Sequence, residues 1–542
     1  MPRRRRRQAI QAEHTPHGTP PEGYGGPRRA LILAGGGIRL SYQAGALRAL
    51  TEQGLCFSHI DGTSGGAVNA AMLLSGLTPE EMCDRWRTLD IRGFLSLMPF
   101  ENYLRVRNLQ ALGDANGIVS DVFPHLGIDV EKVNAARGID ATFNVFNYTN
   151  KVNEVFTHRE MDVDLLVAGM SLPGVLPPVK RGENLYLDSA FVRDANPVEA
   201  IRRGAEELWI VWCLRNTPEY RGGPVDLYVQ TLEMSAVGAL HEDFAAIRDI
   251  NERITNGEAV YGHTSPIRLH MVLPRQPLPQ DTDLYFGSVD HGTLLDMGYA
   301  DARRYLQSMD ANGLPFTPEV TKMESSEPGI TFRETMAGGF SLGATDPDDG
   351  KKRGDDAGTK LAMHASINIS DVHRFIEDPQ HSGEITGHID FTPFGQNIPA
   401  KRGVFNLFSP TGEPELKRMV YELAFDWEGK EYYLAGRKEV RNDRGVDLWK
   451  DTTTLLTTLH EGPDATGPVA GAGVLTLGAD DLVRLSATVR VTNASSTGQQ
   501  AAALSAFGRF FMGELWDSYA NRLQAPVSWW RRLWQKIFGK SS

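Results

Sequence analysis

Between residues 29 and 76 the chain twice passes from an apolar stretch through glycines into a helical pattern. That repeated order restricts the fold more than any other feature. "RALILA" leads through Gly35-Gly36-Gly37 into the amphipathic "SYQAGALRALTEQ". "CFSHIDG" leads through Gly65-Gly66 into the apolar "AVNAAMLLSG". The pattern reads "RALILA" as a buried strand, "CFSHIDG" as the next strand and each follower as a helix. Further along, "ATFNVFNYT", "ELWIVWCL" and "IRLHMVLP" read as strands. "PVDLYVQTLEMSAVGALHEDFAAIRDINERI" and "HGTLLDMGYADARRYLQ" read as helices. The alternation predicts an α/β fold, its sheet mostly parallel and covered on both faces.

At 542 residues the chain is too long for one ordinary core. Residues 1–26 are basic but lack a signal peptide's apolar stretch, and read as a flexible arm. The α/β pattern occupies residues 27–310, and the irregular residues 311–330 read as a linker. From 331 to 524 the character changes. "MHASINI", "GEITGHIDF", "RGVFNLF", "KRMVYELAF", "EYYLAGRKEV" and "TTTLLTTLH" are short runs parted by Gly, Pro and Asp. They predict a β-rich accessory domain, which "QQAAALSAFGRFFMGELWDSYANRL" closes as a helix. Residues 525–542 carry Trp529, Trp530, Arg531, Arg532, Trp534 and Lys536 at helical spacing. A short basic helix with aromatic residues on its apolar face suits a bilayer interface; the competing reading packs these tryptophans on the protein.

Composition removes several function classes. The net charge of −12 argues against nucleic acid as the main partner. Cys56, Cys83 and Cys213 form no C-x-x-C pair, so neither a disulfide framework nor a zinc site is expected, and a reducing compartment is the default. No run of about 18 apolar residues predicts a transmembrane helix. The expected location is cytoplasmic, with peripheral membrane contact. No metal, flavin or other cofactor is expected.

Gly62-Thr63-Ser64-Gly65-Gly66 matches G-x-S-x-G, a weak pattern alone. Its setting strengthens it. Ser64 follows a predicted strand and precedes a predicted helix, where a tight turn lifts a hydroxyl above the sheet toward a helix N-terminus. Gly62 and Gly66 permit the close backbone approach of such an elbow. Gly35-Gly36-Gly37 can point bare backbone N–H groups at an anion. A dinucleotide site fails because the third glycine of its fingerprint falls at Leu40. An oxyanion hole fits better. Downstream, Asp188 follows an apolar triplet in the turn-rich "LPGVLPPVKRGENLYLDSAFVRDANP". Asp194, six residues on, reads as a cap or turn residue.

Together these pieces resemble the patatin-like phospholipase family over residues 27–310. Gly35-Gly36-Gly37 with Arg39 correspond to the family's glycine loop, Ser64 to its elbow serine, and Asp188 in "DSA" to its D-G-[GA] aspartate. "MSLPGVLPPV", "NPV" and "HGTLLDMGYADARRYL" are also similar to it. The resemblance implies a three-layer α/β sandwich and a Ser64–Asp188 dyad without histidine, with Gly35, Gly36, Gly37 and Arg39 at the oxyanion hole. It implies a lipid acyl hydrolase acting through an acyl-enzyme. Ser189 departs from the pattern, standing where the family usually has glycine. Alternatives remain at this stage: an acyltransferase or thioesterase on the same dyad, a non-catalytic lipid-binding protein, or a triad completed by His263, His270 or His291. His59 reads as a packed strand residue. The C-terminal half, through "GITFRETMAGGF", "GVFNLF", "MVYELAF" and "VDLWKDTTTLLTTLHEG", resembles the accessory module of bacterial cholesterol-oxidase-like proteins without the flavin domain.

Overall fold

A computed structural model describes residues 13–37, 39–90, 96–97, 111, 113–214, 220, 222–278, 289–322, 327–413, 416–441, 453–478 and 488–519. The arginine run at 3–7 and the tail bearing Trp529 to Lys536 lie outside them. The chain divides into two units, the first ending at residue 322, with 217–223 and 275–277 grouped with the second.

In the first unit β1 (Arg29–Leu33) runs through the middle of an eight-stranded sheet. Its alternate side chains serve two cores. Leu31 and Leu33 join a cluster with Leu47, Met72 and Leu295, while Ala30 and Ile32 join another with Ile201, Leu240 and Phe244. A strand buried on both faces shows as an unbroken apolar run, which is why "RALILA" carries so clear a signal. The other strands are β2 (His59–Thr63), β3 (Asp140–Asn147), β4 (Val152–Thr157), β5 (Val179–Arg181), β6 (Asn184–Asp188), β7 (Glu207–Val211) and β8 (Arg268–Val272). Their order is β8-β7-β1-β2-β3-β6-β5, with β4 also on β3.

The first five of that order are parallel, and they are the five strands legible in the sequence. The remaining three pair antiparallel, so the sheet is mixed. Within the turn-rich stretch, the apolar triplet before Asp188 forms strand β6, and Asp188 ends it.

Pairing along β3 sets up the site. Residues 140–144 pair with β2, and residues 145–147 pair with β6. Because β4 pairs with residues 142–147, it takes one edge of β3 and leaves β2 and β6 to share the other. Two strands thus run toward each other along one edge and meet end to end, Thr63 opposite Asn144 and Asp188 opposite Val145.

Helix α1 (Ser41–Glu52) follows the glycine loop, α2 (Gly66–Leu74) follows Ser64, and α3 (Pro79–Thr88) opens on a Thr78–Glu81 capping box with Pro79 in its first turn. Then come α4 (Pro197–Arg202), α5 (Pro224–Thr255) and α6 (His291–Ser308). Part of the segment read as an arm lies against this unit: His14 bridges Ala136, and its ring hydrogen-bonds to the Leu74 carbonyl.

The second unit is a closed antiparallel barrel of eight strands. They are β9 (Gly329–Leu342), β10 (Lys360–Ile369), β11 (Ser382–Phe391), β12 (Gly395–Pro410), β13 (Leu416–Trp427), β14 (Lys430–Arg441), β15 (Thr454–Glu461) and β16 (Val469–Thr476). β9 pairs with both β10 and β16 and so closes the ring, while β17 (Arg490–Thr492) pairs antiparallel with the first residues of β9. Closure leaves no open edge among the eight. Helix α7 (Pro347–Ala357) lies between β9 and β10 in the chain. Helices α8 (Val372–Glu377) and α9 (Thr497–Tyr519) bring Phe375 and Phe507 together, and Phe507 packs near Phe332. Amid this apolar core lies a buried ion pair: Lys438 Nζ donates to Glu334 Oε1 at 2.7 Å, and the Tyr421 hydroxyl donates to Oε2 at 2.9 Å. No helix among the described residues is long and apolar enough to cross a membrane.

Candidate active site

Ser64 follows β2 with φ +51°, in the left-handed region that a residue with a Cβ rarely adopts. Such a conformation costs about 1–2 kcal/mol and persists only where the surroundings dictate it. Here they do. A Cβ on Gly66 would stand 2.0 Å from the Leu33 carbonyl oxygen, and one on Gly62 would stand 2.9 Å from Ala67 Cα. The G-x-S-x-G spacing therefore records backbone packed against backbone. Helix α2 begins two residues later and aims its N-terminal dipole at the serine.

Ser64 Oγ donates a 2.6 Å hydrogen bond directly to Asp188 Oδ2. Both residues are buried. Asp188 Oδ1 accepts from the Ala190 amide at 2.9 Å, which fixes the carboxylate's orientation. Burial pushes the Asp188 carboxyl up to about 7, against the lowering effects of the Ser64 and Ala190 hydrogen bonds. Ser189 sits beside it outside the left-handed region, with its hydroxyl on the Arg193 carbonyl at 3.0 Å. The position accepts a side chain without strain.

The glycine loop leaves β1 beside this pair. A Cβ on Gly35 would stand 2.1 Å from Asp194 Oδ1 and 3.1 Å from Ser64 Cβ, so only glycine fits there. A Cβ on Gly36 would meet Cys213 Cβ at 2.6 Å, and Gly37 has φ +61°. The amides of Gly36 and Gly37 donate to no acceptor among the described residues. Arg39 is buried, with Nε donating to the Gly36 carbonyl at 2.8 Å and Nη1 lying 3.6 Å from Glu233. Its guanidinium thus braces the loop through a carbonyl. Behind the loop, Gln43 donates to the Ala34 carbonyl, Asn69 donates to Gln43 and the Leu40 carbonyl, and Trp86 donates to Asn69. This chain of bonds ties the end of β1 to α1, α2 and α3.

Asp194 is more than the cap or turn residue its sequence suggests, because its carboxyl reaches the glycine loop. It is buried, and Oδ2 has no hydrogen-bond partner among the described residues. Burial first, then the charge of Asp188, push it up to about 8, while Arg39 and the Gly35 amide oppose the rise. A second polar group supports the β3 edge. Asp61 accepts from Thr142 and Asn144, Asn144 also donates to Thr63, and Asn196 donates to Asn144. No motif marks these residues, because their partners come from strands and loops far away in the chain.

None of the fourteen histidines hydrogen-bonds to Ser64 or Asp188, and all fourteen are described. His263 meets the Ile201 carbonyl at 2.9 Å. His270 stacks on Trp209 and meets the Tyr305 hydroxyl. His291 contacts Ser41 Oγ at 3.1 Å, and burial pulls its imidazole down to about 4. His59 is packed in β2 against Thr142 and Asp140.

Residues 31–201 match the family model described as patatin-like phospholipase, so the chain carries a patatin-like α/β domain. Among curated proteins it is 28% identical over 184 residues to a "Probable lipid hydrolase" of Invertebrate iridescent virus 6, covering 30% of this chain and 59% of the viral one. It is 26% identical over 165 residues to an uncharacterized NTE family protein of Mycobacterium tuberculosis, covering 30% of this chain and 26% of that protein. The chain therefore spans less than two thirds of either relative. Among solved structures, VipD from Legionella pneumophila is 13% identical with a TM-score of 0.30, covering 56% of this chain and 72% of that one. The family match ends at residue 201 and lends nothing to the cholesterol-oxidase-like resemblance of the second unit.

Proposed function

We propose that the chain is a lipid acyl hydrolase of the phospholipase A, lysophospholipase or lipase type, with Ser64 as nucleophile and Asp188 as its base. The observation that carries this reading is the direct 2.6 Å hydrogen bond from Ser64 Oγ to Asp188 Oδ2, made by a serine held at φ +51°. The patatin-like match and the relative named as a lipid hydrolase support the substrate class.

The chemistry follows from the geometry. Asp188 Oδ2 takes the hydroxyl proton as Ser64 Oγ bonds to the acyl carbon, and the carbonyl oxygen becomes an oxyanion. The Gly36 and Gly37 amides are the donors for that charge, each such donor typically contributing about 3 kcal/mol. Collapse expels the alcohol, which takes its proton from Asp188. Water then attacks the acyl-enzyme, giving a proton to Asp188, and the fatty acid leaves as Ser64 recovers its own. A carboxyl near 7 has the basicity for this work at neutral pH, where an ordinary carboxylate would be a poor acceptor. Arg39 and Asp194 position the loop. The basic, aromatic sequence from Trp529 to Lys536 supports a peripheral bilayer contact on the cytoplasmic side.

Fluorophosphonate labelling with peptide mapping, together with lipid product profiling, tests the reading. Ser64 should carry the label, and wild type should release fatty acids from mixed membrane lipids while Ser64→Ala releases none. An unlabelled Ser64, or equal release by both proteins, would refute it. Acyl transfer to added alcohol in preference to water would make the enzyme a transferase instead.

A further inference from the structure

The barrel wall carries a cluster that the ester chemistry does not use. In β10, Leu361, Met363, Ala365 and Ile367 belong to the apolar core, and in β11 so do Ile385, Ile389 and Phe391. Strand alternation therefore puts His364, His388 and Asp390 together on the opposite, outer face. The antiparallel register sets His364 directly across from His388, with Asp390 two residues further along β11. The two imidazoles lie parallel, centroids 4.4 Å apart and planes 12° apart. His364 Nε2 is 3.2 Å from Asp390 Oδ2. One ligand atom from each of the three residues lies within 4.8 Å of the others.

We propose that His364, His388 and Asp390 bind one zinc-like divalent transition-metal ion, with water completing its coordination. Two imidazoles and one carboxylate suit a borderline d-block cation, whereas calcium and magnesium prefer oxygen alone. Donors around a tetrahedral zinc ion stand about 3.4 Å apart, so modest side-chain rotation closes the cluster. Outer partners are already in place for two ligands. Thr335 Oγ1 lies 3.3 Å from His364 Nδ1, which leaves Nε2 for the metal. The Asn397 amide donates to Asp390 Oδ1 at 2.7 Å, which leaves Oδ2 for the metal. The ion pins β10 to β11, and through Thr335 its shell reaches β9. The sequence hides such a site because its histidines are 24 residues apart and pair only through barrel register.

The bland counterpart is a cross-strand His–Asp hydrogen bond with a second imidazole stacked on it. Titration of chelator-stripped full-length protein with cobalt(II), followed by ligand-field absorption, separates the two. One equivalent should bind, zinc(II) should displace it, and zinc(II) should raise the melting temperature of wild type. His364→Gln and His388→Gln should each weaken binding at least tenfold, and Thr335→Val about tenfold. The glutamine variants must melt like stripped wild type, and Thr335→Val provides a reading that keeps all three ligands. Cobalt uptake by wild type no greater than that of the His364→Gln/His388→Gln double variant would overturn the site.

Discussion

Thr63 and Asp188 end two strands that approach from opposite directions along a single edge of β3, at the neighbouring positions Asn144 and Val145. The residue after Thr63 is Ser64, so the sheet itself delivers a hydroxyl to a carboxylate 124 residues away in the chain. Backbone pairing fixes that meeting before any side chain contributes. The Asp61–Asn144–Asn196 hydrogen bonds then hold the strand ends together.

The strained serine separates function from stability. Ser64→Gly and Ser64→Ala both remove the hydroxyl, but only glycine relieves the positive φ. Both variants should be inactive toward esters, and Ser64→Gly should be more stable than Ser64→Ala by about 1 kcal/mol. Chemical denaturation of the two variants side by side measures that difference.

The elbow's glycine is fixed by contact. A methyl group at residue 66 would sit 2.0 Å from the Leu33 carbonyl oxygen, and backbone is slow to yield. Gly66→Ala should cost about 1–3 kcal/mol as β1 and α2 are forced apart, and activity should fall with it. Thermal unfolding and ester turnover should drop together.

The buried carboxyl makes stability depend on pH. In the folded state the Asp188 pKa is raised from an ordinary 3.8 to about 7, so the folded protein holds this proton more tightly than the unfolded chain. The resulting stabilisation is complete below about pH 4 and is lost as pH rises through about 7, at up to about 1.4 kcal/mol per pH unit. Asp188→Asn never ionises. It should therefore gain stability relative to wild type between about pH 4 and pH 7, and denaturation midpoints across that window follow the gain. A constant difference would mean that the carboxyl is not protonated in the fold.

Within the barrel, Lys438 and Glu334 neutralise each other in an apolar core with Tyr421 beside them. Lys438→Met would leave a buried carboxylate without its cation and should cost about 3–5 kcal/mol. Adding Glu334→Leu should restore a large part of that loss. Melting curves of the single and double variants give the comparison.

What the sequence disclosed followed from local pattern. Strands β1 and β7 are nearly unbroken apolar runs because both faces are buried, whereas β2, equally buried, is mostly polar and is legible chiefly through the turn and helix that follow it. Ser64 and Gly35-Gly36-Gly37 stand at strand–turn–helix junctions that a short window can read. The antiparallel strands "VNEVFT", "VKR" and "NLYLD" are short or polar, which hid β6 beneath Asp188. Asp194 reads as a turn residue in the sequence because its partners, Gly35 and Arg39, lie 159 and 155 residues upstream. The barrel's strands gave a β-rich signal, but its closure rests on β9 pairing with β16, far along the chain.

The central claim is that Asp188 takes the proton of Ser64 with no imidazole between them. The pH profile of kcat/KM on a soluble ester, for wild type, Asp188→Asn and alanine variants of His263, His270 and His291, tests it most directly. Activity should rise with pH to a limb at about 7 in wild type and in each histidine variant, and Asp188→Asn should be inactive. Loss of activity on replacing one of those histidines, with Asp188→Asn still active, would contradict it.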